Sequence, residues 1–97
     1  MAESDLDLVV VDLPGPQGAP GAMIRDLQLP PEALITMITR GQHVIPPKGS
    51  TCLQGWDHVT VLAHGTDEEA VRQALLAPFE QISKEQTSGN QGVLGSA

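Results

Sequence analysis

Residues 5 to 13 (DLDLVVVDL) open on a polar–apolar alternation that runs into the β-branched block Val9 to Val11. Alternation at period two marks a half-buried strand, and an unbroken apolar run marks one covered on both faces. The expectation is a strand over 5–13, polar on one face early and buried on both faces late. Pro14 to Gly21 (PGPQGAPG) suits neither helix nor central strand, because proline removes donors and glycine costs chain entropy. Its collagen-like look is superficial, since two triplets cannot build a triple helix. Ala22 to Leu27 places Met23, Ile24 and Leu27 at i, i+1 and i+4. That predicts a short helix, ended by Pro30-Pro31.

Leu34 to Arg40 (LITMITR) predicts a second strand, and Gly41-Gln42 a two-residue type II′ hairpin turn into His43–Ile45. Pro46 to Gly49 turns again, Ser50 to Leu53 is short and extended, and Gln54 to Asp57 makes another turn. His58 to Ala63 alternates as a strand, with Val59 and Val61 on one side. Thr66 to Glu69 matches a capping box, and Val71, Ala74, Leu75, Phe79 and Ile82 then recur on one helical face. Pro78 lies inside that pattern and predicts a kink or a fresh turn. From Glu85 onward the chain is polar, Gly-rich and aperiodic, which reads as a tail or linker.

Strand, short helix, strand, hairpin strand, strand, helix adds up to an α+β domain with a small, mainly antiparallel sheet. The domain is expected over 5–82, with 1–4 and 83–97 as disordered ends.

Length and charge narrow the function classes. The chain has 97 residues, 12 acidic against 5 basic, a net charge of −7, one Trp, one Phe and no Tyr. It is too short for a barrel enzyme or a transporter. Acidity repels a phosphate backbone, and the lack of aromatics removes a base-stacking platform, so no nucleic-acid partner is expected. A lone cysteine, Cys52, rules out a disulfide scaffold. The acidic start lacks the basic and apolar regions of a signal peptide. The longest apolar run, Leu8 to Val11, is far short of the roughly 20 residues that span a bilayer. A reducing cytosolic setting and no direct membrane insertion are expected.

Candidate chemistry is sparse. Cys52 with Asp57 and His58 contains the residue types of a nucleophilic triad, but a thiol in a strand usually behaves as a small buried hydrophobe. His43, His58 and His64 lack paired-ligand spacing, so no metal is expected. Lys48-Gly49-Ser50-Thr51 departs from the phosphate-binding GxxxxGK[ST] pattern. Glu68 and Glu69 are explained by helix capping. Arg25 and Arg40, two of the few cations, suit surface ion pairs better than anion contacts. Trp56 either plugs a sheet edge or anchors a partner.

The order of elements, with Leu27, Leu29, Ala33, Leu34, Ile35, Ile38, Arg40, Gly41, Val44, Ile45, Pro47, Gly49, Thr51, Leu53, Asp57, Val59, Val61 and Leu62 in place, resembles the TrkA-C domain, also called the RCK C-terminal domain. The LPPEALI segment (29–35) resembles the version in bacterial cell-volume-regulation antiporters for sodium or potassium and protons. The resemblance implies a homodimeric regulatory domain on the cytoplasmic side of the inner membrane, attached to a transmembrane antiporter or channel portion. It implies ligand contacts around Arg25, Pro30, Ala33, Ile35 and Arg40, and core or dimer surface from Val9, Val11, Ile35 and Met37. Some relatives bind cyclic di-AMP there through an Arg and an Asn. Here Pro30-Pro31-Glu32-Ala33-Leu34 carries neither, and Glu32 adds negative charge, which counts against that nucleotide. A stand-alone protein-binding adaptor is the alternative, and a small Cys52-dependent enzyme a remote one.

Overall fold

The structure, a computed structural model, describes residues 5–80. It is α+β. Strands β1 (Leu6–Asp12), β2 (Pro20–Met23), β3 (Leu34–Arg40), β4 (His43–Ile45), β5 (Cys52–Gln54) and β6 (His58–His64) precede a helix, α1, over 68–80. The main sheet has the order β1-β6-β3-β4 with every pairing antiparallel, and β2 pairs with β5 in a separate two-stranded sheet. The expected class and helix are both present. Residues 1–4 and 81–97, including Ile82 and the expected tail, lie outside the described residues.

Period-two alternation builds the core. Val59, Val61 and Ala63 of β6 and Val9 and Val11 of β1 face inward with Ile35 and Ile38 of β3. Val71, Leu75 and Phe79, spaced four apart on α1, close over them, joined by Leu13 and Leu53. This is a two-layer arrangement: α1 and the small β2–β5 sheet cover one face of the main sheet.

β3 keeps its core contacts only by slipping phase. Strict alternation in LITMITR would send Ile35 and Ile38 to opposite faces. A bulge between Ile35 and Met37 inserts one residue against β6, so Ile35 and Ile38 both turn inward and Met37 turns out. Thr36, within the bulge, donates its hydroxyl to the Thr60 carbonyl at 3.2 Å.

Several expectations are corrected. β1 is buried on one face only, because Val10 is exposed between buried Val9 and Val11. The expected helix over 22–27 is strand β2 followed by a single 3-10 turn, Ile24–Asp26. The amides of Ile24 and Arg25 donate to the Thr51 and Gly49 carbonyls just before β5, and Leu27 returns to an extended backbone (φ −74°, ψ 144°), which ends the turn after three residues. The capping box does not close: a 3-10 turn, Gly65–Asp67, leads into α1, and the Glu69 carboxylate accepts from the side-chain Nε2 of Gln73 instead. Helical residues continue through Pro78 without a break, with Leu75 and Phe79 packed in the core on either side of it.

The Gly41-Gln42 turn is as expected. Arg40 pairs with His43, and Gly41 has φ +62°, the left-handed region that the first turn position of type II′ demands.

Candidate functional site

The inner face of the main sheet is filled, and the outer face is bare. On β6 the residues between the buried ones are His58, Thr60, Leu62 and His64. Register places Leu8, Leu62 and Leu34 side by side across β1, β6 and β3, and Val10, Thr60 and Met37 in the next row. Asp12, His58, Thr39 and Val44 form a third row. Among the described residues eight large hydrophobic side chains are exposed, and six of them lie on this face: Leu6, Leu8, Val10, Leu34, Met37 and Val44. Scattered apolar residues are ordinary on a protein surface, but a contiguous patch marks an interaction site.

Both ends of the band are polar. At one end His58 hydrogen-bonds the Asp12 carboxylate on β1. At the other, His64 hydrogen-bonds Glu32, just before β3. The Glu32 hydrogen bond, followed by the pull of nearby carboxylates, holds the His64 pKa above its ordinary value. Both pairs sit in solvent, so they hold geometry more than stability.

Trp56 stands beside the His58 end. Its backbone is left-handed, at φ 74°, a conformation that a bulky side chain rarely adopts. The Trp56 amide donates to the Leu13 carbonyl at 3.0 Å and the Leu13 amide to the Asp57 carbonyl at 2.9 Å, so the end of the β1–β6 ladder fixes the turn. The indole is 58% exposed. With Asp12, Leu13 and His58 it lines an open cleft of about 240 Å³.

Asp57 has a different role. It is fully buried, and its two carboxylate oxygens accept Nε of Arg40 at 2.8 Å and Nη2 at 2.9 Å. The Gln54 amide adds a third bond at 2.9 Å, and Arg40 Nη2 also reaches the Cys52 carbonyl at 3.0 Å. The ends of β3 and β5 and the turn before β6 are thus pinned at one carboxylate. Hydrogen bonding to Asp57 raises the Arg40 pKa further above its ordinary value. Arg40, expected near a ligand, is committed to this structural pair.

The other expected ligand residues do not converge. Arg25 Nε donates to the Gly49 carbonyl at 3.3 Å, Pro30 accepts the Ala33 amide in a turn at 3.0 Å, and Ile35 is core. None of Arg25, Pro30, Ala33, Ile35 and Arg40 lines the clefts beside Trp56, beside Pro20 or beside Phe79. Val9, Val11 and Ile35 lie under α1 and not on a surface, so of that set only Met37 is available to a partner. Their exposed neighbours in sequence, Leu8, Val10 and Leu34, are the residues that the sequence reading missed. Alternation about Val9 marks Leu8 and Val10, and alternation about Ile35 marks Leu34.

Cys52 is exposed, against the expectation of a buried thiol. β5 is three residues long and only Leu53 turns inward. With Asp57 held by Arg40 and His58 by Asp12, no nucleophilic triad forms around it. Among the described residues no three His, Cys, Asp or Glu side chains gather as a metal site. Lys48 to Thr51 closes on itself, with the Lys48 amide donating to Thr51 Oγ1 at 3.1 Å and that hydroxyl donating to the Pro46 carbonyl at 2.6 Å. No helix among the described residues is long and apolar enough to cross a membrane.

No family model matches the chain. Over 70 residues, 72% of its length, it is 36% identical to the Trk system potassium uptake protein TrkA of Mycobacterium tuberculosis, in both the CDC 1551 / Oshkosh and the ATCC 25618 / H37Rv strains. The match covers 32% of that protein, so the chain spans about a third of the length of the curated relatives it matches.

Proposed function

We propose that this chain is a regulatory domain of a potassium transport system, acting from the cytoplasmic side on a membrane-embedded transporter. The 36% identity over 70 residues to a potassium uptake protein carries the reading. The α+β architecture supports it, being consistent with an RCK C-terminal-like fold. In finer detail, the LPPEALI segment favours a potassium/proton or sodium/proton antiporter as the regulated partner. The domain works as a dimer, and an ion, proton or ligand that favours one dimer arrangement biases the transporter by population shift.

The partners of the charged residues near the 30–34 connection do not favour a nucleotide there. Arg40 is spent on Asp57, Arg25 on a backbone carbonyl, and Glu32 on His64.

Deleting the segment 5–80 in its host and following rubidium flux as a potassium surrogate tests the function. The expected result is transport that no longer responds to external potassium or pH. Flux identical to wild type across both titrations overturns the reading.

A further inference from the structure

We infer that the cleft beside Trp56 holds an arginine side chain carried by a basic segment of a partner protein. That the segment belongs to a membrane protein rests on the proposed function; the chemistry of the cleft does not.

The backbone is the first sign. Among the described residues Trp56 is the one non-glycine with a positive φ, at 74°. A glycine would sit there without strain. Strained residues of this kind gather at ligand clamps and binding sites, where the local cost is part of the function. The strain is not offset by burial, because the indole stays more than half exposed. An exposed Trp is also the side chain that most often anchors a partner.

The ring is held in place before anything binds. Two backbone hydrogen bonds with Leu13 fix the turn. A Cβ on Gly15 would lie 2.8 Å from the indole Nε1, so the bare glycine lets the ring rest against the loop. A preset anchor loses little freedom on binding.

The cleft is aromatic and anionic together. Asp12, Leu13, Trp56 and His58 line about 240 Å³, below the roughly 300–1,000 Å³ of clefts that enclose a whole small molecule. One side chain suits such a space. The Asp12 side chain is 70% exposed. A carboxylate offers about four acceptor sites, and the His58 ring uses one of them, on Oδ1. Arginine matches both features, because its flat guanidinium stacks on an indole and its N–H fork meets a carboxylate.

Charge selects the carrier. The chain has a net charge of −7, so its field draws in a basic segment and repels an acidic one. Arg72 does not line the cleft: it pairs with Glu68 at 3.0 Å and reaches the Val10 carbonyl at 3.5 Å. Cytoplasmic loops of membrane proteins carry an excess of Lys and Arg, which makes them a source of such a segment.

Two-dimensional NMR of the full chain, titrated with a blocked peptide of alternating glycine and arginine, tests the proposal. The peptide should shift the indole N–H of Trp56, the single tryptophan of the chain, in a saturable way. It should bind several-fold more weakly at high salt. The same peptide with glutamine for arginine should bind several-fold more weakly again. Asp12→Asn and Trp56→Gly, the latter followed through the Leu13 and His58 amides, should each stay folded by their spectra and lose several-fold in affinity. Asp26→Asn, at a carboxylate in the cleft beside Pro20, should bind like wild type. Equal weakening in Asp26→Asn and Asp12→Asn would reduce the attraction to general charge and overturn the site. Equal affinity for the glutamine peptide would overturn the arginine. Guanidinium chloride competing as well as the peptide would overturn the protein segment and leave a small-cation site. An unmoved Trp56 resonance would overturn the cleft while leaving the regulatory reading standing, since rubidium flux tests that separately.

Discussion

Arg40 and Asp57 form a two-pronged ion pair in which only the arginine reaches water: its side chain is 32% exposed and the aspartate's is sealed. The pair is therefore asymmetric. Arg40→Ala leaves a buried carboxylate with only the Gln54 amide, and stranding a buried charge costs about 3–5 kcal/mol. Asp57→Asn removes the charge and keeps a group that can accept from Arg40, while Arg40 can turn to solvent. Urea denaturation should show Arg40→Ala as clearly the more damaging change. Equal losses in the two variants would mean that the pair contributes through shape alone.

Two glycines separate steric need from conformational need. A Cβ on Gly55 would lie 2.2 Å from the Pro16 carbonyl oxygen and 2.7 Å from that of Pro14. These are backbone atoms and cannot swing away. Gly41 has φ +62° and open space around it. Gly41→Ala should cost about 1–2 kcal/mol, the left-handed penalty of an L-residue. Gly55→Ala should cost distinctly more, because the loop 14–19 must be displaced. Thermal melts of the two variants check the order, and a reversal would mean that loop 14–19 yields easily.

The sheet was readable from the sequence because its signals are local. LITMITR, HVTVLA and the Gly41-Gln42 turn each carry their own instructions. Three features were not local. β2 looked like a helix because Met23, Ile24 and Leu27 also fit a helical spacing, and only its pairing with β5, some thirty residues away in the chain, decides the matter. The bulge in β3 exists because β6 offers a fixed register, so the outward turn of Met37 cannot be read from LITMITR itself. Asp57 carried a resemblance in sequence, but its burial follows from Arg40, 17 positions away. The apolar run Val9 to Val11 predicts a strand buried on both faces, whereas strict alternation places Val10 outside and opens the outer face.

Trp56 holds a left-handed backbone with an indole that is more than half exposed. Relieving the backbone by Trp56→Gly regains about 1–2 kcal/mol and gives back part of it as chain entropy and lost contact with Gly15. The melting temperature should hardly move. A large drop would show the indole to be a structural plug and not a surface group.

Cys52 is exposed, and His58, the histidine that follows it in the chain, is held by Asp12. Iodoacetamide should label it in the native protein at the rate of an ordinary accessible thiol. Labelling a hundred-fold faster would revive a catalytic thiol.

The His64–Glu32 pair gives a pH dependence with a defined sign. The Glu32 hydrogen bond raises the His64 pKa above the ordinary imidazole value of 6.5. A group whose pKa is higher in the folded state binds its proton more tightly there, so protonation favours folding. Its contribution is complete below about pH 6.5, fades as the pH rises through the raised value, and is absent above it. Both side chains are solvent-exposed, so the effect on stability is small and the titration itself is the better readout. Proton NMR of the His64 ring should give a midpoint above 6.5 in wild type and a lower one in Glu32→Gln. An unchanged His64 midpoint in Glu32→Gln would mean that Glu32 does not hold the imidazole in solution, and that end of the apolar band would lose its fixed polar rim.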